Sequence, residues 1–587
     1  MRHYLIAFIT VIGFLVIGLS ACNNTKEVDP GGSDPLSVSL AADKLISNKT
    51  ITLTATVEGE PDALELWLND NLAENLEVPY TYTFDPASDG VYSAYAKASK
   101  GSKTVTSNVL SLTVDRTPPA IVNRSPEPDS AATDGAISVS FSEAIDPASL
   151  EGKAVQVVDV RQGTLSSSAK LNEKVLSISL AEAPVSPTRL RLELSDISDL
   201  AGNTLSDSWS WSVPGKAISS FALLGERSLS SDKTIKENPS RIAANDAGNI
   251  AVVWLDAKTV RVKTWSGTAW TELPALESSK EPFRPDIALL SSGLPVVSWQ
   301  NGTETDPSQG DIEVARWNGS SWESLGTVDT AGFDAAAPAI AIDASNMITV
   351  AWFEYDGSSS NVMVKRFDGT DWVALGGPLD KVLGRTAAYP SIALDYAGKP
   401  YVAWFEARFL DPTDGVRHLF VKTWTGAGWE SLGEELNISS FEAVTLFSIA
   451  VGGNGNPVVA FSEFENLENS NNVYVKQWTG ASWELVGEPV DLVRRQRAIY
   501  PTIVADAANG LSVAWWEGVT AEGSNVNIEN DIYFAHWTGS EWQQFGEMEV
   551  LAASEGRYPD LALAGPQQLP VLNWTENTQS VYVKLAQ

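Results

Sequence analysis

Apolar and polar residues alternate along most of this chain with a period of two. In Val38-Ser39-Leu40, in Ile51-Thr52-Leu53-Thr54-Ala55-Thr56-Val57 and in Ile137-Ser138-Val139-Ser140-Phe141, every second side chain falls on one face. That spacing predicts half-buried β-strands. Between residues 37 and 115, further runs at Leu64–Leu68, Tyr80–Phe84, Tyr92–Ala98 and Val105–Val114 are separated by turns. About seven short strands in about 80 residues predict a β-sandwich.

The stretch Asp85-Pro86 through Gly90-Val91-Tyr92, with the exit Val114-Asp115-Arg116-Thr117-Pro118-Pro119, resembles bacterial Ig-like modules. No cysteine pair is present, so it is not the disulfide-pinned antibody type. A second module, residues 116–215, opens at Pro118-Pro119 and closes near Pro214-Gly215. Its Ile137–Glu143 strand, Ile145-Asp146, Ser149-Leu150 and Asp199-Leu200-Ala201-Gly202-Asn203 resemble the Ig-like domain of S-layer and other bacterial surface proteins. Such modules serve as spacers, and their acidic residues form turns.

From residue 216 to 587 the alternation itself repeats. An aromatic residue recurs at Trp254, Trp299, Trp352, Trp404, Phe461, Trp515 and Trp574, at intervals of 45, 53, 52, 57, 54 and 59 residues. After each of the first six comes W-x-G-x-x-W or a close variant, from Trp265-Gly267-Trp270 to Trp537-Gly539-Trp542. Each unit parses as four short strands, one blade of a propeller. The seventh unit stops after its third strand, Val581-Tyr582-Val583-Lys584. Phe221-Ala222-Leu223-Leu224-Gly225-Glu226 matches Trp429-Glu430-Ser431-Leu432-Gly433-Glu434, so the missing outer strand stands at the head of the array. Closure by that strand removes exposed edges. The sequence therefore predicts an all-β protein: two Ig-like β-sandwiches followed by a seven-bladed β-propeller closed by its N-terminal strand.

The first residues follow another pattern. Arg2 and His3 precede an apolar run, Tyr4 to Leu19, short for a membrane span and laid out like a secretion signal. Leu19-Ser20-Ala21-Cys22 resembles a bacterial lipobox. The resemblance implies that residues 1–21 are a lipoprotein signal peptide and that Cys22, the single cysteine, carries the lipid anchor. Several acyl chains on one residue hold firmly where one binds marginally. Asn23 after the cysteine resembles the outer-membrane sorting pattern. Residues 22–36, rich in Gly, Pro, Asp and Asn, form a tether.

Composition narrows the function. Asp and Glu number 74 against 40 Lys and Arg, a formal charge of −34 that argues against nucleic acid as a partner. Twenty-one tryptophans (21 Trp) argue against disorder over most of the length.

Turns joining the first and second strands, and the third and fourth, keep their lengths from unit to unit. The loops joining second to third strands vary widely, and variation on a rigid scaffold is where recognition resides. Two polar sets converge on that variable face. The residue two after the second-strand aromatic is Asp256, Asn301, Glu354, Glu406, Glu463, Glu517 or Glu576, and just before the first strand stand Arg284, Arg385, Arg497 and Arg557 with Tyr389, Tyr500 and Tyr558. These predict an acid, arginine and tyrosine rim, either ion pairs between strands or a polar pocket for a glycan or small anion with tyrosines as stacking platforms.

The W-x-G-x-x-W turn is similar to half of the sialidase box, keeping Gly and the last Trp but placing an aromatic residue where the aspartate belongs, so it assigns no catalytic residue. His418 and His536 are the histidines beyond the leader, and His536 falls at a position expected on the surface. No G-x-S-x-G, H-E-x-x-H or P-loop occurs. Neither a cofactor nor a metal site is assigned. The expectation is a lipid-anchored cell-surface binding or adhesion protein, attached to the membrane by its N-terminal lipid, whose propeller meets a glycan or envelope-protein ligand. The alternatives are a glycan-processing hydrolase or lyase using rim carboxylates, and a structural component of an envelope complex.

Overall fold

The computed structural model describes residues 35–587 except 133–135, 153, 226–228, 231–238, 257–258, 303–309, 382–385, 408–415, 440–442, 466–469, 493–496, 521–526, 549–555 and 577–579. Cys22 and the leader lie outside the described residues, as does Arg385. No helix among the described residues is long and apolar enough to cross a membrane. The chain divides into two compact units, one running to Pro118 with Leu200–Asn203 added, the other comprising the rest.

In the first unit two sheets face each other, and Ile51–Glu58 shows the expected strict alternation of buried and exposed positions. Its core gathers Ile51, Leu53, Leu66, Phe84, Ala96 and Leu112. The second unit begins with two sheets of four strands each around Val139, Phe141, Leu192, Trp209 and Trp211.

The remainder, among the described residues, is seven antiparallel sheets, six of four strands and the first of five because Leu276–Glu277 adds to it, with two of the seven joined by a single parallel bridge between Asn471 and Arg497. The inner strands are Arg241–Ala244, Pro282–Leu289, Asp334–Ile342, Thr386–Leu394, Val444–Val451, Arg497–Ala505 and Gly556–Ala564. Each packs on the next and the last on the first, which closes a propeller-like ring. The displaced strand is where the repeat places it: Phe221–Leu223 pairs with the end of Ser580–Ala586, Phe221 opposite Ala586. Phe221 also meets Phe534 of the preceding sheet edge-on at 4.7 Å.

The repeat signature holds neighbouring sheets together. In each W-x-G-x-x-W turn the two aromatic rings stand 5.2–5.5 Å apart. The intervening glycine adopts φ between 90° and 105°, the left-handed region that a side chain resists. The second Trp reaches the previous sheet, its Nε1 donating to a backbone carbonyl, as from Trp270 to Leu224 at 2.8 Å and from Trp542 to Val486 at 2.9 Å. Gly225, next to that Leu224 acceptor, permits the approach, since a Cβ there would lie 2.8 Å from the Trp270 ring. A lysine on the third strand makes a second tie: Lys365, Lys476 and Lys584 donate to carbonyls of Val328, Leu436 and Met548 at 2.6–2.8 Å.

Candidate functional site: the axial cavity

Five inner strands carry an X-Pro pair, and each slips register there: between Phe283 and Asp286, Ala336 and Ala339, Ala388 and Ser391, Ile499 and Thr502, and Arg557 and Asp560. The residue before proline takes positive φ, from 46° at Arg284 through 52° at Tyr389 and 55° at Tyr500 to 56° at Tyr558. Proline has no N–H to leave unpaired, so the bulge costs the ladder no donor. A non-glycine residue held left-handed stores roughly 1–3 kcal/mol, repaid by packing around it. These bulges turn Arg284, Tyr389, Tyr500 and Tyr558 onto the wall of an axial cavity of about 740 Å3.

Two aromatic groups build the mouth. Tyr389, 39% exposed, lies between Phe353 and Phe405, both with ring centres at 5.4 Å. Arg284 covers its ring at 4.6 Å, and Arg417 covers Phe405 at 4.9 Å. On the other side Tyr500 stacks on Trp516 at 5.6 Å and meets Tyr558 edge-on at 4.8 Å, with Arg557 over Trp516 at 5.6 Å. Arg497 stands exposed at the start of its inner strand.

Deeper, Arg241 lies 3.4 Å from Asp560. It keeps 40% of its side-chain surface accessible, because it lines an open channel walled by protein. Burial disfavours its charge, but Asp560 and Asp286 outweigh that and raise its pKa. Burial pushes Asp286 up to about 6 against the pull of Arg241, and raises Asp560 too. Both carboxylates bridge inner strands: Ile340 N donates to Asp286 at 2.8 Å and Ile242 N to Asp560 at 3.0 Å. They satisfy donors on the innermost edge that no strand covers.

At the opposite end the short turns between first and second strands converge. Gln568 donates to Asp246 at 3.2 Å and to Tyr396 at 3.1 Å, and accepts from Ala507 N at 2.8 Å. Arg161, from the Ig-like module of the same unit, is buried there, 2.7 Å from Asp246 and donating to Pro566 O at 2.8 Å. Ser212 of that module donates to Ala508 O at 3.0 Å. The module thus rests on the regular-turn face, and the cavity's tyrosines stand at the other end.

The acidic half of the expected rim is not at the opening. Glu354, Glu406, Glu517 and Glu576 are 0–4% exposed. Each accepts the indole N–H of the tryptophan two residues before it: Trp352 at 3.0 Å, Trp404 at 3.1 Å, Trp515 at 3.0 Å and Trp574 at 2.9 Å. They also pin the incoming connection, Thr330 N donating to Glu354 at 3.1 Å, Lys381 N to Glu406 and Leu492 N to Glu517 at 3.3 Å. Residues i and i+2 of a strand share a face, so each carboxylate follows its buried tryptophan inward. Parity carries the correction, and it also marks what the sequence reading passed over. The residue between Trp and Glu faces the other way, and it is Phe353, Phe405 or Trp516 in the three sheets whose rings back the tyrosines. Arg417 and Arg241 carried no repeat-wide signal. His536 is also corrected: it is half-buried with Nδ1 3.0 Å from Ser512 Oγ, and burial lowers its pKa.

The bacterial Ig-like domain family matches residues 115–213. No curated protein matches the chain. Among solved structures, an ulvan lyase from a new polysaccharide lyase family is similar at 12% identity, with 62% of this chain and 96% of that one covered and a TM-score of 0.45. A Penicillium chrysogenum α-L-arabinanase complexed with arabinobiose is similar at 12% identity, covering 63% of this chain and 98% of that one, with a TM-score of 0.37. A Fusarium graminearum α-L-arabinofuranosidase is similar at 12% identity, covering 52% and 92%, with a TM-score of 0.33. These likenesses concern the all-β, propeller-like fold alone.

Proposed function

We propose that this chain is a bacterial cell-surface protein, lipid-anchored through Cys22, whose axial cavity binds a saccharide. The observation that carries the reading is Tyr389: a ring 39% exposed at the mouth of a cavity of about 740 Å3, backed by two phenylalanines and held by a bulge. A flat exposed ring with an aromatic floor is a platform for the apolar face of a sugar, and its hydroxyl supplies direction. The Ig-like module at the far end leaves this mouth to the environment, as capture at a surface requires.

The test is a glycan array probed with the full chain and with Tyr389→Ala and Tyr500→Ala. Removing one stacking ring is expected to weaken binding about three- to tenfold, and because each ring also packs on aromatic neighbours the variants should melt a few degrees lower, so binding is compared well below either transition. Binding that is unchanged in both variants would sink the reading. Release of new reducing ends or unsaturated products during incubation would assign the glycan-processing alternative, and capture of an envelope protein without saccharide binding would assign the structural one.

A further inference from the structure

We infer that the saccharide taken by the mouth is acidic, its carboxylate or sulfate groups gripped by exposed arginines beside the aromatic platform. This rests on the saccharide reading above and adds the ligand's charge.

Three observations converge. First, the chain has a formal charge of −34, yet the cavity mouth is lined by Arg284 and Arg417, and Arg497 stands exposed at the start of its inner strand. Second, the glutamates that would balance them are turned away: Glu354 and Glu406 are buried and committed to indole and backbone N–H groups. Cavity carboxylates Asp286 and Asp560 lie with Arg241 and bond to Ile340 N and Ile242 N. Third, the guanidinium of exposed Arg417 is supported by a ring face, 4.9 Å from the centre of Phe405. On the far side of the same stack Arg284 sits 4.6 Å over Tyr389 and donates to its hydroxyl at 3.5 Å, and the Tyr389 ring is parallel to Phe405 within 27°. The Phe405 ring steadies the Arg417 side chain, and the forked N–H groups of a guanidinium match the two oxygens of a carboxylate or sulfate. The result is a sugar-stacking surface, Tyr389 on Phe405, with the exposed guanidinium of Arg417 at its edge.

The experiment uses the full chain on an array in which each uronate- or sulfate-bearing oligosaccharide is paired with its carboxyl-reduced or desulfated form. The expected result is binding to charged members only, weakening as salt rises. Arg417→Ala and Arg497→Ala, both at exposed positions, should each lose about tenfold in affinity for charged members. Arg417→Lys, which keeps charge but not the flat fork, should recover only part of that loss. Neutral forms binding within twofold of their charged partners, or charged binding indifferent to Arg417→Ala, would overturn the inference and leave the saccharide reading standing. Binding to neither form would withdraw both.

Discussion

Glu354 separates a structural carboxylate from a ligand-binding one, because its three donors are all defined. Trp352 Nε1 and Thr330 N donate to Oε2 at 3.0 and 3.1 Å, and Thr330 Oγ1 to Oε1 at 2.9 Å. Glu354→Gln can keep this arrangement. The amide oxygen takes the place of Oε2, and the amide nitrogen donates to the Thr330 hydroxyl, which then acts as acceptor. The change should be within about 1 kcal/mol of neutral. Glu354→Leu preserves bulk but strands a buried indole N–H and the half-buried Thr330 N–H, each costing about 1–3 kcal/mol. A loss of about 2–6 kcal/mol follows. An unfolding entropy of about 2.1 cal/mol/K per residue over about 370 residues makes each kcal/mol worth about 1.3 °C. Glu354→Leu should therefore melt about 3–8 °C below wild type in a differential-scanning fluorimetry trace, and Glu354→Gln about 1 °C from it. Combining Glu354→Leu with Trp352→Phe removes one stranded donor, so the double variant should lose about 1–2 kcal/mol less than the sum of the singles. If Glu354→Leu melts like wild type while Glu354→Gln abolishes saccharide binding, the carboxylate belongs to a site and the structural assignment is wrong.

Ring closure gives a second test: a chain truncated to begin at Ser231 loses the Phe221–Leu223 strand and the Trp270 acceptor at Leu224. It should melt several degrees below one beginning at Gly215, and equal melting would contradict the displaced strand. Anchoring by Cys22 predicts that Cys22→Ser takes up no labelled fatty acid and leaves the membrane fraction, whereas a variant that stays membrane-bound beside an unlabelled wild type would refute it. Asp286, Asp329, Asp380 and Asp506 are each pushed up to about 6, chiefly by burial, from an ordinary value of 3.8. Folded pKa values above the unfolded ones mean the native state binds more protons between about pH 4 and 6, so stability should fall as pH rises through that window. Asp506 takes both its backbone donors, Ala508 N at 2.8 Å and Gly510 N at 2.7 Å, on one oxygen that Asn retains. Asp506→Asn should flatten the decline in melting temperature between pH 4.5 and 7, and parallel curves would count against it.

Most of the architecture was legible in the sequence because it is written in local rules. Period-two alternation sets which residues face inward, a turn glycine between paired aromatic residues recurs six times, and an incomplete last unit with a matching fragment upstream identifies the closing strand. Half of the mouth was legible too, since arginines and tyrosines cluster before X-Pro pairs. Strand parity could have withdrawn Glu354, Glu406, Glu517 and Glu576 from the rim, for each shares a face with a tryptophan two residues earlier. Tertiary structure alone decided the rest. The grip of Arg417 on Phe405 joins residues brought together by sheet pairing, Arg241 meets Asp560 only because the ring closes first sheet on last, and Tyr389 reaches Arg284 across two sheets. Local pattern dictates which way a side chain points within its own strand. What it meets there depends on how seven sheets close around one axis, a global constraint that no single repeat contains.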